Sequence, residues 1–282
     1  MIAHQPIGVF DSGFGGLTVL REIRRLLPGE DLLYVADSGH APYGDKPMAA
    51  IEARAFAITE FLLGHDAKAI VIACNTATGA AARLLRARFP VPLVAMEPAV
   101  KPAVERTRSG VVGVLATRQT LASHNFSVLL KRVGTGAEIL LQPCPGLVEC
   151  VERGDLDGER TRALLREYLD GLLERGADTL VLGCTHYPYL TPLIQEVAGP
   201  GVEVLDSGAA VARQVQRRLR DADLLASPER LGEARFWTSG DPAALSGPMR
   251  RLWGDGVVLR HLGEDRSSRT METAGALALE SV

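Results

Sequence analysis

Lysine is scarce in this 282-residue chain: only Lys46, Lys68, Lys101 and Lys131 occur, within a combined lysine and arginine count of 31. Acidic residues number 34, so the formal net charge is −3 and no basic excess covers a nucleic-acid backbone. The arginines are scattered through helical stretches, where solvated faces and ion pairs account for them. Long apolar runs are missing too. None approaches the roughly 18 to 20 residues a membrane helix needs. The N-terminus, MetIleAlaHisGlnProIleGlyValPhe, has no basic stretch followed by an apolar core. No signal peptide and a cytoplasmic chain are therefore expected. There, structural disulfides are disfavoured, so the four cysteines are read as free thiols. Cys144 and Cys150 lack the spacing of a common zinc knuckle, no CxxC pair exists, and no metal site is expected. A GxxxxGK[ST] string is also absent, which removes the usual nucleoside-triphosphate reading.

What is present is an ordinary globular composition, 46% apolar and 23% charged. Short β-branched runs at 7–10, 32–36, 69–73, 93–95, 111–115, 139–141, 180–182 and 202–205 alternate with longer stretches of three- and four-residue apolar spacing. Those stretches, at 17–27, 47–63 and 159–173 among others, are predicted helices. Strand and helix in alternation predict an α/β fold of mostly parallel sheets flanked by helices. The uniformly apolar strands suit sheets covered on both faces.

The order of the elements repeats. Ile7–Phe10 is echoed at 112–115, the segment 62–74 at 172–184, and Leu93 with its neighbours at Val204, at offsets of 105, 110 and 111 residues. One matched block carries little weight; three in the same order point to a duplicated α/β unit. Two pseudo-symmetric domains are expected, with the tail (a helix near 208–224, then strands around Trp237 and Leu259) returning to the first. The expected division is 1–97 together with 208–282 for the first domain and 98–207 for the second. Parallel sheets gather their strand ends, and their ligands, on one edge. Asp11, Cys74, Ala116 and Cys184 all follow strand ends, so the site is expected in the cleft between the domains.

The strongest local signals are AlaCys74AsnThr and GlyCys184ThrHis, matching positions of the repeat. One buried strand-end cysteine is usually a small apolar filler; two at equivalent positions, each followed by hydrogen-bonding residues, favour chemistry. A thiol whose pKa is lowered by a helix N-terminus or a cation is a usable base near neutral pH. His186 falls within reach of the second thiol or of a substrate. Asp11SerGlyPheGlyGly16 follows a strand and opens a helix, where backbone amides favour an anion. It departs from the dinucleotide fingerprint, because Thr18 stands at the third glycine position. Asp11 as a plain helix cap explains the motif equally well, and Ala41ProTyrGly44 is a turn. Glu152 shares a charged helix end with Glu149, Arg153 and Asp155.

Taken in order from about residue 7 to 207, these four motifs closely resemble those of the glutamate racemase family, among the cofactor-independent aspartate/glutamate racemases. The resemblance implies a two-domain pseudo-twofold fold and an isomerase that interconverts L- and D-glutamate, supplying D-glutamate for peptidoglycan. It implies that Cys74 takes the α-proton from D-glutamate and Cys184 from L-glutamate, with Asp11, Glu152 and His186 assisting. Asp11, Ser12, Tyr43, Gly44, Asn75, Thr76, Thr185 and His186 match its substrate-binding positions. No cofactor, nucleic-acid or membrane partner is implied; the substrate is the partner, and the family is often a homodimer. Between the matching cysteine and glutamate this chain has ProGlyLeuValGluCysVal where many members are more apolar, and Glu149 competes with Glu152 for the role.

Two fixed thiols suit racemisation, since one removes the α-proton while the other returns a proton to the opposite face. Pyridoxal enzymes store the carbanion electrons in a ring; here no lysine sits at a strand end facing the cleft, with Lys101 the remaining candidate. A developing dianion must then be held by preorganised donors in a site that excludes water, so the domains are expected to close on the substrate. Three other readings stay open: a racemase for aspartate or another amino acid, a redox protein with a Cys74–Cys184 disulfide, and a non-catalytic amino-acid-binding module.

Overall fold

The computed structural model describes residues 3–264. The ends of the expected first domain, 1–2 and 265–282, lie outside the described residues. In chain order the strands are β1 (Ile7–Asp11), β2 (Leu32–Ala36), β3 (Ala69–Ile72), β4 (Leu93–Ala95), β5 (Val111–Ala116), β6 (Glu138–Pro143), β7 (Thr179–Leu182), β8 (Glu203–Leu205), β9 (Ala234–Thr238) and β10 (Leu259–His261). The helices are α1 (Leu17–Leu26), α2 (Met48–Gly64), α3 (Asn75–Arg88), α4 (Val100–Arg106), α5 (Arg118–Ala122) and α6 (His124–Val133). They continue with α7 (Leu147–Glu152), α8 (Glu159–Glu174), α9 (Thr191–Ala198), α10 (Gly208–Asp221) and α11 (Pro242–Trp253).

Two sheets form, and every strand pairing among the described residues is parallel. One has the order β10-β9-β2-β1-β3-β4 and the other β6-β5-β7-β8. The run β2-β1-β3-β4 and the whole second sheet thus share one strand order. Gly8 on β1 stands beside Ile70, and Gly113 on β5 stands beside Leu180. A Cβ on Gly8 would lie 3.1 Å from Leu62 and Ile70 side chains; on Gly113 it would lie 2.8 Å from those of Leu172 and Leu180. In each half a helix leucine packs onto the central strand where only a glycine leaves room.

The caps repeat as well. Past α2, Asp66 takes φ 62° and Ala67 N–H donates to Leu62 O at 3.1 Å; past α8, Gly176 takes φ 83° and Ala177 N–H donates to Leu172 O at 3.0 Å. Both are left-handed C-caps of the Schellman kind. The same device ends α10 at Asp221, before the expected 224, since Asp223 turns left-handed and Leu224 N–H returns to Leu219 O.

Both faces of each sheet carry apolar cores, which is why the strands are apolar without alternation. In the first sheet Ile7 and Val9 pack with α1 and α10, while Phe10 and Ile70 pack with α2 and α3. The second sheet divides in the same way between Leu180 and Leu182 on one face and Val112 and Val114 on the other. The tail strands β9 and β10 extend the sheet that contains β1, through β9 beside β2. The strand expected around Leu259 starts at that residue, the first paired to β9, while Val258 is 68% exposed. Among the described residues no helix is long and apolar enough to cross a membrane.

Candidate active site

Parallel pairing brings the ends of β1, β3, β5 and β7 to one edge, where they line a small shared cavity. Its walls are Ser12, Pro42, Tyr43, Gly44, Cys74, Asn75, Thr76, Thr117, Val148, Cys184, Thr185 and His186. Both cysteines of the repeat therefore face one space, contributed by the two sheets. All four cysteines are buried free thiols.

Cys74 caps α3: its Sγ accepts the Ala77 N–H at 3.4 Å, and it lies 3.9 Å from Ser12 Oγ. Burial, with the Asp11 carboxyl adding to it, pushes the thiol well above its ordinary range. Cys184 has a different neighbour, with His186 Nδ1 3.7 Å from its Sγ. The other ring nitrogen, Nε2, is 2.6 Å from Glu152 Oε1. Burial alone would lower the basicity of His186, but Cys184 and Glu152 outweigh it and hold the imidazole well above its usual range. The ring thus bridges the Cys184 sulfur and the Glu152 carboxyl group.

The glycine-rich loop explains how these parts meet. Phe14 N–H donates to Glu152 Oε1 at 2.7 Å, and Gly15 N lies 3.3 Å from His186 Nε2. A Cβ on Gly13 would come 2.1 Å from Glu152 Oε1, and one on Gly15 2.4 Å from His186 Nδ1. The Phe14 amide, expected to bind an external anion, is occupied by the Glu152 carboxylate from across the cleft. Asp11 does the same from within: its oxygens accept from Ser12 N at 2.7 Å, Gly16 N at 2.5 Å and Thr185 Oγ1 at 3.1 Å. Full burial raises its carboxyl, and His186 and these donors work in the opposite direction. Asp11 is thus both a brace for the α1 entrance and a neighbour of the first thiol.

Glu152 ends α7 and reaches His186, whereas Glu149, one turn earlier, lines a separate cavity with Asp45 and Arg118. Of the two glutamates, Glu152 is the one in contact with His186. Tyr43 is fully buried, with its hydroxyl committed to Asp37 Oδ2 at 2.5 Å, so it presents its ring to the cavity. Asp37 is held in turn by Arg54, at 2.9 and 2.7 Å, and sits below the ordinary carboxylate range: burial opposes ionisation and the Arg54 contacts overcome it. Asn75 is buried, and neither its Nδ2 nor its Oδ1 has a protein partner. The Lys101 side chain is exposed on α4, with its Nζ 3.9 Å from Glu105. No group of three or more His, Cys, Asp or Glu among the described residues is arranged to hold a metal ion.

Thr117, Val148 and Pro42 line the cavity without having been singled out in the sequence. Thr117 had a usable signal: it follows the end of β5 as Ser12 follows the end of β1, at the offset of 105 that relates those strands. Behind the pair, Arg54 and Asp37 carry no motif, because their pairing is made only by the fold.

A family model described as Asp/Glu/Hydantoin racemase matches residues 7–215. The glutamate racemase of Methylococcus capsulatus is 58% identical over 251 residues, 89% of this chain and 92% of that protein. That of Ectopseudomonas mendocina is 56% identical over 254 residues, 90% and 96% of the two chains. Among solved structures, a glutamate racemase from Bacillus anthracis superposes with a TM-score of 0.83 at 32% identity, covering 91% of this chain and 97% of its own. With the family match covering β1 to β8 and every residue of the cavity wall, the chain belongs to the Asp/Glu/hydantoin racemase family, among its glutamate racemases, and is an amino-acid racemase, an isomerase.

Proposed function

We propose that this enzyme interconverts L- and D-glutamate by proton transfer between two cysteines on opposite faces of the α-carbon. The observation that carries the reading is the shared cavity: Cys74 and Cys184 line it from different sheets. The similarity to glutamate racemases supports glutamate as the substrate.

Starting from L-glutamate, Cys184 acts as thiolate beside protonated His186 and takes the α-hydrogen as a proton. The C–H electron pair moves into the α-carboxylate and leaves a dianion. Cys74, kept as a thiol by burial and by Asp11, gives its S–H proton to the other face of the same carbon. One thiolate and one thiol remain, with their roles exchanged, and the reverse direction runs the same steps backwards. Glu152 holds His186 and Asp11 stands beside Cys74, so each thiol has its own acid–base neighbour. Asn75 and Thr76 supply hydrogen-bond donors to the carboxylates and the developing charge, while Ser12 and Thr185, whose donors turn to Asp11, line the same wall. Asn75 suits this, since a buried amide without a protein partner calls for one. Tyr43 and Gly44 close the wall.

In this reading, residues 1–97 with 208–282 and residues 98–207 act as two domains that part to admit the substrate and close over it. The enzyme works in the cytoplasm as a homodimer, supplying D-glutamate for peptidoglycan. Incubating either enantiomer with the enzyme and following circular dichroism tests the core of the proposal. Wild type should bring both to the racemate, and Cys74→Ala and Cys184→Ala should each abolish this. A near-wild-type rate in either variant overturns the two-base assignment.

A further inference from the structure

Three threonine hydroxyls close a ring where the two halves meet. Thr76 Oγ1 lies 2.9 Å from Thr117 Oγ1 and 3.2 Å from Thr120 Oγ1, and Thr117 lies 2.9 Å from Thr120. Thr76 begins α3 of the first half, while Thr117 and Thr120 belong to the start of α5 in the second. Thr76 and Thr117 line the cavity; Thr120 is 2% exposed and stands behind them, against a different cavity. Among the described residues its hydroxyl has no partner outside the ring.

A hydroxyl has one hydrogen to donate and two lone pairs to accept with. Three contacts and three hydrogens therefore satisfy the ring completely, with none left for a ligand. Opening one contact changes that. If Thr120 donates to Thr76 and Thr76 to Thr117, the hydrogen of Thr117 turns to the cavity; with the order of the first two acceptors reversed, that of Thr76 does. Either chain begins at Thr120, whose buried position denies it the cavity, and ends on a donor that faces it. Successive hydrogen bonds polarise one another, most strongly when the last acceptor is an anion.

We infer that Thr120 is a positioning residue for racemisation, the fixed first donor of a three-hydroxyl relay that ends on a carboxylate of the bound amino acid. The relay spans the cleft, so the same hydrogen bonds that grip the carboxylate hold α3 to α5. Ser, which keeps the hydroxyl, preserves it; Val, which keeps the shape, breaks it.

The inference rests on the reading of the cavity as the glutamate site. Racemisation by the wild type decides that reading independently, so a failed Thr120 result leaves it standing. The test compares Thr120→Val and Thr120→Ser by steady-state kinetics in both directions, with Thr120→Ala in reserve. Val should raise KM for both enantiomers by about tenfold, the effect of one lost charge-assisted bond, with kcat within about threefold. Ser should stay within about twofold on both constants. The inference is overturned if KM is unchanged in the Val variant, if Ser is as impaired as Val, or if kcat falls instead of KM rising. Failure of both Val and Ala to fold, with Ser unimpaired, makes Thr120 a structural residue and overturns it too.

Discussion

His186 Nε2 sits 2.6 Å from Glu152 Oε1, and the two groups reach each other only because Gly13 and Gly15 leave no side chain between the first half and the second. The contact joins the loop after β1, the end of α7 and the turn after β7. It also sets where a proton resides. Buried His186 keeps its proton because Glu152 and Cys184 accept from it.

Glu152→Gln removes the charge while keeping the shape. We expect kcat/KM to fall by about 10² or more, the usual scale for a disrupted acid–base group. His186 should also lose its proton at lower pH in the variant. The sign for stability follows from the raised pKa in the folded state. Stability from the charged imidazole is complete below the unfolded value, about 6.5, and is lost as pH rises through the raised folded value. Urea titrations across pH 6 to 10 should show wild type losing stability toward alkaline pH and Glu152→Gln losing less.

Gly13→Ala makes a sharper test, because the atom it meets is the far end of a flexible side chain. Glu152 can swing away at small cost to the fold, giving up His186 as it does. Thermal denaturation should change by only a few degrees, while kcat/KM falls nearly as far as in Glu152→Gln. Equal losses of stability and activity would count against a positioning role for this glycine.

Arg54→Met takes the guanidinium from the Asp37 carboxylate, fully buried at its side chain, and leaves His40 and Tyr43 against it. The expected destabilisation is about 3 kcal/mol, the low end for breaking a buried pair, measured by urea denaturation at neutral pH. Asp37 is depressed below the ordinary range, so its contribution is present above the unfolded value near 3.9 and lost as pH falls through the folded one. KM should rise as well, since the Asp37 contact orients Tyr43 in the cavity wall.

Lys68 and Glu30 form a second buried pair at 2.5 Å, away from the cavity. Lys68→Met should cost about 3 to 5 kcal/mol and leave KM and kcat unchanged at temperatures where the variant is folded. A kinetic change would mean that this end of the sheet communicates with the cleft.

The sequence disclosed the architecture through repetition. Gly8 with Gly113, Leu62 with Leu172, and Cys74 with Cys184 hold equivalent places in the two halves, and each is visible as a repeated letter at an offset of 105 or 110. Residues that follow a strand end were legible for the same reason, since a parallel sheet sends them to one edge. What stayed hidden depends on contacts made at long range. Glu152 could not be separated from Glu149 until α7 was placed against the Phe14 amide. Arg54 and Asp37 meet across 17 positions of sequence with no shared motif. The glycines of the first motif suggested a place for an external anion, because tight turns at helix entrances often bind one. Here the carboxylates of Glu152 and Asp11 fill that role.

Deuterium incorporation at the earliest turnovers tests the central claim most directly. L-glutamate is incubated with enzyme in D2O, and both enantiomers are examined separately by mass spectrometry well before equilibrium. Two thiols on opposite faces predict D-glutamate carrying deuterium at the α-carbon while the remaining L-glutamate keeps its protium. D-glutamate that retains the original hydrogen, or deuterium entering the L pool as fast as product forms, would contradict the account.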